Sequence, residues 1–185
     1  VIATGLDDSG WSTTNQGAYA IYEDNTDMEE AYGLLYNWYA VDSWRGLCPD
    51  GWRVPSDADW FELSQHIGTH DDFYYNTWSD NDIARGLKSC RQVDAPEGIC
   101  DTEEHPRWDT YIENYGIDAF NFAALPGGIR EEDGYYYSIG SIGLWWTSAF
   151  DANLHFTSTH SDTLDKQISV SKNRGLSVRW LLYTS

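Results

Sequence analysis

Oxygen-bearing side chains cluster at three places along the chain, and each cluster is a candidate cation site. Calcium binds several oxygen ligands from Asp, Asn, Glu and backbone carbonyls. None of the clusters has the spacing of an EF-hand loop or of a nonapeptide repeat. Taken alone, each is more typical of a solvated loop than of a metal site. The candidate metal ligands are Asp71 and Asp72 in the first cluster, Glu131 and Asp133 in the second, and Asp151, Asn153 and Asp162 in the third.

Two adjacent tryptophans, Trp145 and Trp146, precede the third cluster. Consecutive residues of an extended chain point to opposite faces, so both indoles cannot lie in one apolar layer. One is expected in the core and the other toward a second layer, a pocket or solvent. The same alternation applies to Tyr135, Tyr136 and Tyr137, and at least one of these rings is a candidate wall of a binding groove.

Arg130 directly precedes the acidic turn at 131–133. Its guanidinium could bind a ligand carboxylate through two parallel hydrogen bonds, and a salt bridge to a neighbouring acid is an equally good interpretation. A bound divalent cation would reverse the local negative potential and give a ligand carboxylate a coordination position. An adjacent aromatic ring would then contact the ligand's apolar side chains. His160 lies beside the third cluster and completes the set of candidate ligand-binding residues.

The charge of the chain limits its partners. Thirty acidic residues stand against 11 basic ones, which gives a net charge of −19. This field repels nucleic acids and anionic membrane surfaces, so neither is an expected partner. It attracts cations, in agreement with calcium as the cofactor. Solubility in salty or cold water is the plain alternative explanation.

Known catalytic motifs are missing from the sequence, which shows no Gly-x-Ser-x-Gly elbow, phosphate-binding loop or Cys-His signature. Pairs of acids are too frequent for any one to stand out as a glycosidase pair. His66 and His70 have the spacing of a helical zinc pair, but Gly68 is expected to end the helix between them. We therefore predict a protein that is not an enzyme.

Two short helices and several antiparallel strands are expected to position these residues. A capping-box-like start at Ser56 predicts a helix that ends at Gly68, and Ser79 begins a second helix that ends before Cys90. Alternating runs predict strands at 18–23, 166–171 and 176–182. Turn-rich segments separate short apolar runs after Cys90. We predict an α+β fold with two short helices, antiparallel sheets and long loops in the second half.

A chain of 185 residues and 21.1 kDa is expected to form a single ligand-binding domain over 1–185. Residues 1–16 are small and polar apart from Trp11, which predicts a loose N-terminal arm. No apolar run approaches the roughly 20 residues that a membrane span needs. Neither a signal peptide nor an initiator methionine opens the chain, so it is interpreted as a module of a longer protein.

Cys90 and Cys100 flank a polar loop that contains Pro96 and Gly98. A disulfide between them would stabilise the fold by roughly 2–4 kcal/mol in an oxidising compartment. Three reduced thiols are the alternative. Cys48 has no partner in the first arrangement and is expected to be buried and inert.

Several longer stretches resemble a known family. They are "YGLLYNWYAV", "GLCPDGWRVPSDADWFEL", "IARGLKS", "FNFAALPGGIR", "GLWWTS" and "RGLSVRW". Their order resembles the Fibrobacter succinogenes major paralogous domain from about Tyr32 to Trp180. The resemblance implies a C-type-lectin-like fold of the formylglycine-generating-enzyme group. Such folds use the loops around the final strands for calcium and ligand, which favours the third cluster.

Two departures qualify this resemblance. Many members carry a cysteine where Trp180 stands here, a partner for the cysteine of "LCP", so Cys48 is expected to stay free. The formylglycine-generating relatives oxidise their substrate with a cysteine pair, and this sequence has no matching pair. The enzymatic activity is therefore not carried over.

In character the chain is most similar to the calcium-dependent peptide-binding domains of large bacterial RTX adhesins. This similarity implies an extracellular cell-adhesion module on the bacterial surface, with a role in biofilms, that binds the C-terminal ends of peptides or proteins on other cells. The alternatives are a calcium-dependent carbohydrate-binding module and a passive structural domain. We expect a monomer within a larger multidomain chain, whose tail Tyr183, Thr184 and Ser185 could occupy the calcium site of a neighbour in a crystal.

Overall fold

The structure of the protein is a computed structural model. The fold combines short helices with small antiparallel sheets, which confirms the α+β class. The described residues are 2–43, 47–68, 83–96, 99–111, 113–148, 152–160 and 163–182.

Most of the described helices are short, and the longest has 12 residues. This long helix forms one side of the groove described below. This helix, which ends at Gly68 as expected, and the helix after it are the two that the sequence predicted. The other three described helices span at most seven residues and were not predicted. The second predicted helix is also short, with five residues, but the start signal at Ser79 indicated it. The helices are α1 (Asp8–Thr13), α2 (Thr26–Tyr32), α3 (Trp38–Val41), α4 (Asp57–Gly68) and α5 (Ile83–Leu87), with a 3-10 turn at Tyr22–Asp24.

The strands of the described residues are β1 (Tyr19–Ala20), β2 (Leu35–Tyr36), β3 (Trp52–Arg53), β4 (Gly127–Arg130), β5 (Tyr136–Ile139), β6 (Ile142–Trp146), β7 (Leu154–Ser158), β8 (Asp165–Gln167) and β9 (Leu181–Leu182). They form one three-stranded sheet, in the order β6-β7-β8, and three two-stranded sheets, β1-β2, β3-β9 and β4-β5. All these pairs are antiparallel. In β3-β9, Trp52 lies opposite Leu182 and Arg53 opposite Leu181, so β9 returns to the start of α4.

Strand β6 divides the core into two layers. Trp146 is fully buried with Trp38, Leu154 and Leu176 on one face. Trp145 is 3% exposed and packs with Trp60 on the other face. The prediction that the two indoles point to opposite faces is confirmed, and the indole of Trp145 enters a second apolar layer.

The expectation of a loose arm at 1–16 is wrong. The side chain of Asp7 caps α1 by accepting a hydrogen bond from the backbone N–H of Gly10 at 2.7 Å. Trp11 is fully buried and packs with Ala18. Asn173 Nδ2 also donates to the Trp11 carbonyl at 2.9 Å. Because a buried indole contributes several kcal/mol, the segment is held as part of the domain.

A disulfide joins Cys90 and Cys100, whose Cα atoms are 5.1 Å apart, and this prediction is confirmed. Cys48 is a free thiol and is half-buried rather than fully buried. Burial raises its pKa, so the thiol stays protonated near neutral pH. Among the described helices, none is long and apolar enough to cross a membrane.

Candidate functional site

A groove of about 1110 Å³ runs between α4, the loop at 118–123 and the end of the chain around β9. One face of α4 forms its polar wall, since residues three, four and seven apart share a side of a helix. Four residues of this wall are Asp59, Glu62, Leu63 and His66. The opposite wall includes Phe122, Arg179, Trp180 and Leu182.

An ion pair fixes the start of the polar wall. Both terminal nitrogens of Arg53 on β3 donate to the carboxylate of Asp59, each at 2.5 Å. The backbone N–H and hydroxyl of Ser56 also donate to Asp59, at 2.7 and 2.6 Å. Hydrogen bonds from Arg53 first, and from Ser56 second, hold the pKa of Asp59 far below its usual range. The predicted capping box is present, and its carboxylate is fully engaged.

Arg179 lies in the opposite wall and makes contacts of a different kind. One of its terminal nitrogens donates to the carbonyls of Phe122 and Ala123, at 2.5 and 3.0 Å. Its Cζ lies 4.4 Å from the centroid of the Phe122 ring. In the described part of the chain, no carboxylate forms an ion pair with Arg179, and its other guanidinium nitrogens donate no hydrogen bond.

Burial lowers the pKa of Arg179, and the negative charge of Asp118 opposes this shift. An arginine still remains protonated at neutral pH, because its ordinary pKa lies far above neutrality. The groove therefore contains a partly buried positive charge with donors directed at two carbonyls only. A guanidinium in this position can bind a planar anion such as a carboxylate.

The loop at 118–123, whose carbonyls accept the hydrogen bonds from Arg179, has an unusual backbone. Asp118, Asn121 and Ala123 have φ values of 46, 53 and 49°, in the left-handed region. The Ala123 N–H donates to the Asp118 side chain at 2.7 Å and holds the loop in this shape. The strain turns two successive carbonyls toward Arg179.

Apolar surface surrounds the same end of the groove. Trp180 and Leu182 are 43 and 51% exposed, and Trp52 beside them is 41% exposed. Large apolar side chains that are exposed together mark interaction surfaces more often than isolated ones do. We call Trp52, Trp180, Leu181 and Leu182 the apolar rim.

Three of the predicted ligand-binding residues are buried in the structure. Trp145 and Trp146 are core residues with almost no exposed surface. Arg130 is buried between the rings of Trp11 and Tyr136. It donates to the carbonyls of Gly134 and Leu6 and forms an ion pair with Asp8 at 3.4 Å, not with the acids that follow it in sequence.

Sequence reasoning missed Arg179 as the basic residue of a groove. A signal was present, since Arg179 is the only charged residue in the apolar run at 176–182. A charge in such a run is costly to bury unless it is paired.

The remaining predicted aromatic residues lie outside the groove. Tyr135 and Tyr137 are 57 and 47% exposed, whereas Tyr136 packs on Tyr22 with ring centroids 5.2 Å apart. The prediction that the three tyrosines cannot all be inside is confirmed. His160 is exposed, and its ring lies 4.5 Å from that of Tyr111.

The structure describes three of the predicted metal ligands, Glu131, Asp133 and Asn153, and does not bring them together at one site. Glu131 pairs with Arg174 at 2.8 Å, and Asp133 accepts from the N–H of Tyr135 at 3.0 Å. In the part of the chain that the structure covers, no three His, Cys, Asp or Glu side chains are close enough to hold a metal ion. Four of the candidate metal ligands lie outside the described residues: Asp71, Asp72, Asp151 and Asp162. So do His70, the second histidine of the zinc spacing, and the C-terminal tail Tyr183, Thr184 and Ser185.

Asn153 belongs to a buried polar cluster at the start of α4. Its Nδ2 donates to Asp57 at 3.0 Å, and its Oδ1 accepts from the N–H of Ser169 at 3.3 Å. Lys166 pairs with the same carboxylate at 2.7 Å. Burial acts to raise the pKa of Asp57, but the hydrogen bonds from Lys166 and Asn153 outweigh it and lower the pKa. A cation at Asp57 would have to displace this ammonium group.

A family model described as the Fibrobacter succinogenes major domain matches residues 3–181. The match covers nearly the whole chain, including both walls of the groove. No curated protein and no solved structure matches significantly.

Proposed function

The chain belongs to the Fibrobacter succinogenes major domain family, and we propose that it is a non-enzymatic binding module for the carboxylate end of a polypeptide. The ligand lies in the groove between α4 and β9. The observation that carries this proposal is Arg179, whose charge lies in the groove on the side of Phe122 and the apolar rim, with two backbone carbonyls as its hydrogen-bond partners in the described part of the chain.

A terminal carboxylate matches this arginine in charge and shape. A guanidinium binds a carboxylate through two parallel hydrogen bonds, which are stronger than bonds between neutral groups. Partial burial weakens solvent screening and strengthens the attraction. In a protein of net charge −19, a carboxylate needs such a local positive charge to approach at all.

The size and lining of the groove are compatible with the end of a polypeptide. Its volume of about 1110 Å³ lies at the large end of the roughly 300–1,000 Å³ that is typical of ligand pockets. Phe122 and the apolar rim supply surface for the last side chains of the ligand. Aromatic residues and arginine are also the residue types that dominate binding energy at interfaces.

Calorimetry tests the proposal with one peptide in two forms. The probe is an acetylated hexapeptide of glycine and serine that ends in tyrosine and leucine, with either a free carboxylate or an amide at its end. We expect the free acid to bind at least about tenfold more tightly, because the amide leaves Arg179 without an anionic partner. Equal binding of the two forms contradicts the proposal, and no binding of either favours a passive structural domain.

A substitution locates the interaction. Arg179→Lys keeps the charge but loses the planar fork, and we expect it to weaken binding of the free acid about tenfold. The matched control is Arg174→Lys, since Arg174 is also half-buried but pairs with Glu131 away from the groove. Melting curves of both variants establish that the fold is retained.

The wider setting is also a proposal. The disulfide between Cys90 and Cys100 supports an oxidising compartment, as expected for an extracellular adhesion domain on a bacterial surface. A C-type-lectin-like fold agrees with the mixture of short helices and small antiparallel sheets. Calcium dependence is supported by the acidic charge and rests chiefly on the acids of 71–72 and 151–162.

Carbohydrate binding is the second candidate function, and one observation favours it. Tyr135 and Tyr137 are both exposed and two residues apart, so they present two rings on the same face of the hairpin. Exposed aromatic faces provide large, rigid contact surfaces for a ligand. A signal on a glycan array that Tyr135→Ala and Tyr137→Ala abolish, together with silence from the peptides, would replace the first candidate by the second.

A further inference from the structure

We infer that the groove selects polypeptides that carry a basic side chain ahead of their terminal carboxylate, and that Glu62 is the residue that makes this selection. The inference rests on the proposed function, because the carboxylate at Arg179 sets the direction of the chain in the groove. It adds a second recognition element on the opposite wall.

Glu62 is the acid of the polar wall whose carboxylate can bind a cationic group of a ligand. Asp59 is one helical turn away and already binds Arg53 through two hydrogen bonds. Glu62 lines the same groove and is exposed. Within the described residues it makes no hydrogen bond and no ion pair.

The two walls therefore present opposite charges to the groove. Asp59 and Arg53 neutralise each other, which leaves Glu62 on the α4 side and Arg179 on the other. A ligand whose negative terminus meets Arg179 and whose cationic side chain meets Glu62 is complementary to both walls. Such complementarity sets the direction and specificity of binding more than its overall strength.

The net negative charge of the protein attracts any cationic peptide. The experiment must therefore separate selection of a basic side chain by Glu62 from this long-range attraction. Long-range attraction does not depend on where a lysine lies in the peptide. Contact with one carboxylate does depend on the position. A matched series of peptides distinguishes the two effects.

The experiment measures binding of acetylated hexapeptides that end in leucine with a free carboxylate. A single lysine moves through the four positions before the last one, and norleucine replaces it in the uncharged series. We expect one position at which lysine binds about two- to fivefold more tightly than norleucine, the range of an exposed ion pair. This preference should shrink at high salt.

Two variants assign the preference to its residue. Glu62→Gln should abolish the gain of lysine over norleucine at that position. The two peptides are compared within each variant, because the loss of a negative charge from the groove also strengthens binding of every peptide with a free carboxylate. Glu132→Gln is the matched control, because Glu132 is an exposed acid in the β4–β5 turn, outside the groove lining, and this variant should keep the preference.

The outcomes separate this inference from the proposed function. If the free acid still binds better than the amide but lysine gives the same gain at every position, or the gain survives in Glu62→Gln, the selection by Glu62 is wrong and the carboxylate site stands. If the free acid has no advantage over the amide, the proposed function fails and the inference fails with it.

Discussion

The imidazole of His155 lies nearly flat against the indole of Trp60, with ring centroids 5.0 Å apart and planes 23° apart. His155 Nε2 is 3.6 Å from Oδ1 of Asp57, too long for a hydrogen bond. Neither ring nitrogen has a hydrogen-bond partner among the described residues. Burial lowers the pKa of His155, and the positive charge of Lys166 acts in the same direction, while Asp57 opposes them. The fold thus holds this histidine neutral behind Trp60, which also lines the groove.

This arrangement predicts that acid destabilises the protein already below about pH 6.5, the ordinary pKa of histidine. The unfolded chain takes up a proton there more readily than the folded one, so the free energy of unfolding falls as pH falls. His155 contributes at most about 1.4 kcal/mol per pH unit. His105, whose pKa is also lowered by burial, acts in the same direction.

Urea unfolding at pH values of about 5, 6 and 7 measures this dependence. His155→Phe keeps a ring against Trp60 and removes the titration, so the fall in stability should be smaller than in the parent protein. His160→Gln changes an exposed histidine and should retain the full dependence. An unchanged dependence in His155→Phe would show that other groups cause it.

Local signals predicted the features of the fold that depend on residues close together in sequence. The capping box of Ser56 and Asp59 predicted α4, and alternation predicted the opposite faces of Trp145 and Trp146. The polar loop between Cys90 and Cys100 suggested their disulfide. Each of these features depends on residues within about a dozen positions of one another, where the period and the cap determine the geometry.

The site itself depends on distant contacts that no local pattern encodes. Arg179 and the carbonyl of Phe122 are 57 residues apart in the chain. Strands β3 and β9 have two residues each, too few for a periodic signal. The sequence does not show which neighbours surround Arg130 and Arg179, and the difference between the two lies in what packs around them. Burial between Trp11 and Tyr136 excludes the first from ligand contact.

A second prediction concerns Asn37, a fully buried polar residue at the start of α3. Its Oδ1 accepts from the N–H groups of Ala18 and Ala40, and its Nδ2 donates to the carbonyl of Gln16, at 2.9–3.1 Å. Asn37→Ala leaves these groups short of partners. Because each unsatisfied buried group costs about 1–3 kcal/mol, we expect a loss of about 2–4 kcal/mol in the free energy of unfolding.

Asn25→Ala is the matched control for that experiment. Asn25 also caps a helix, α2, and its side chain accepts from the N–H of Asp27 at 3.0 Å, but it is exposed. Loss of an exposed cap costs about 1 kcal/mol. Chemical denaturation of the two variants should therefore separate them clearly, and equal losses would show that Asn37 acts as a helix cap alone.

A third prediction concerns the disulfide between Cys90 and Cys100. Cys90→Ser with Cys100→Ser should lower the free energy of unfolding by about 2–4 kcal/mol, because the open loop gains freedom in the unfolded chain. A reducing agent should have the same effect on the parent protein. Cys48→Ser, which removes the free thiol, should keep the sensitivity to reduction. Melting curves with and without the reducing agent measure both effects.

The last prediction is that calcium stabilises the fold. An ion that binds only the native state adds RT ln(1 + [L]/Kd), or about 2.7 kcal/mol at a hundredfold excess over Kd. For a domain of this size the melting temperature should rise by several degrees. The measurement compares melting curves in calcium, in magnesium and in a chelator. Superimposed curves in calcium and chelator would exclude a stabilising site.

Paired substitutions then assign the ion to one acidic segment. Asp151→Asn with Asp162→Asn tests the third cluster, and Asp71→Asn with Asp72→Asn tests the first. Asp133→Asn tests the second cluster, and Asp50→Asn is the control, because Asp50 is an exposed acid outside all three clusters. Neutralising acids in a chain of net charge −19 relieves repulsion and raises stability in the chelator. The decisive quantity is therefore the shift between chelator and calcium within each variant, and the cluster whose substitution abolishes this shift holds the ion.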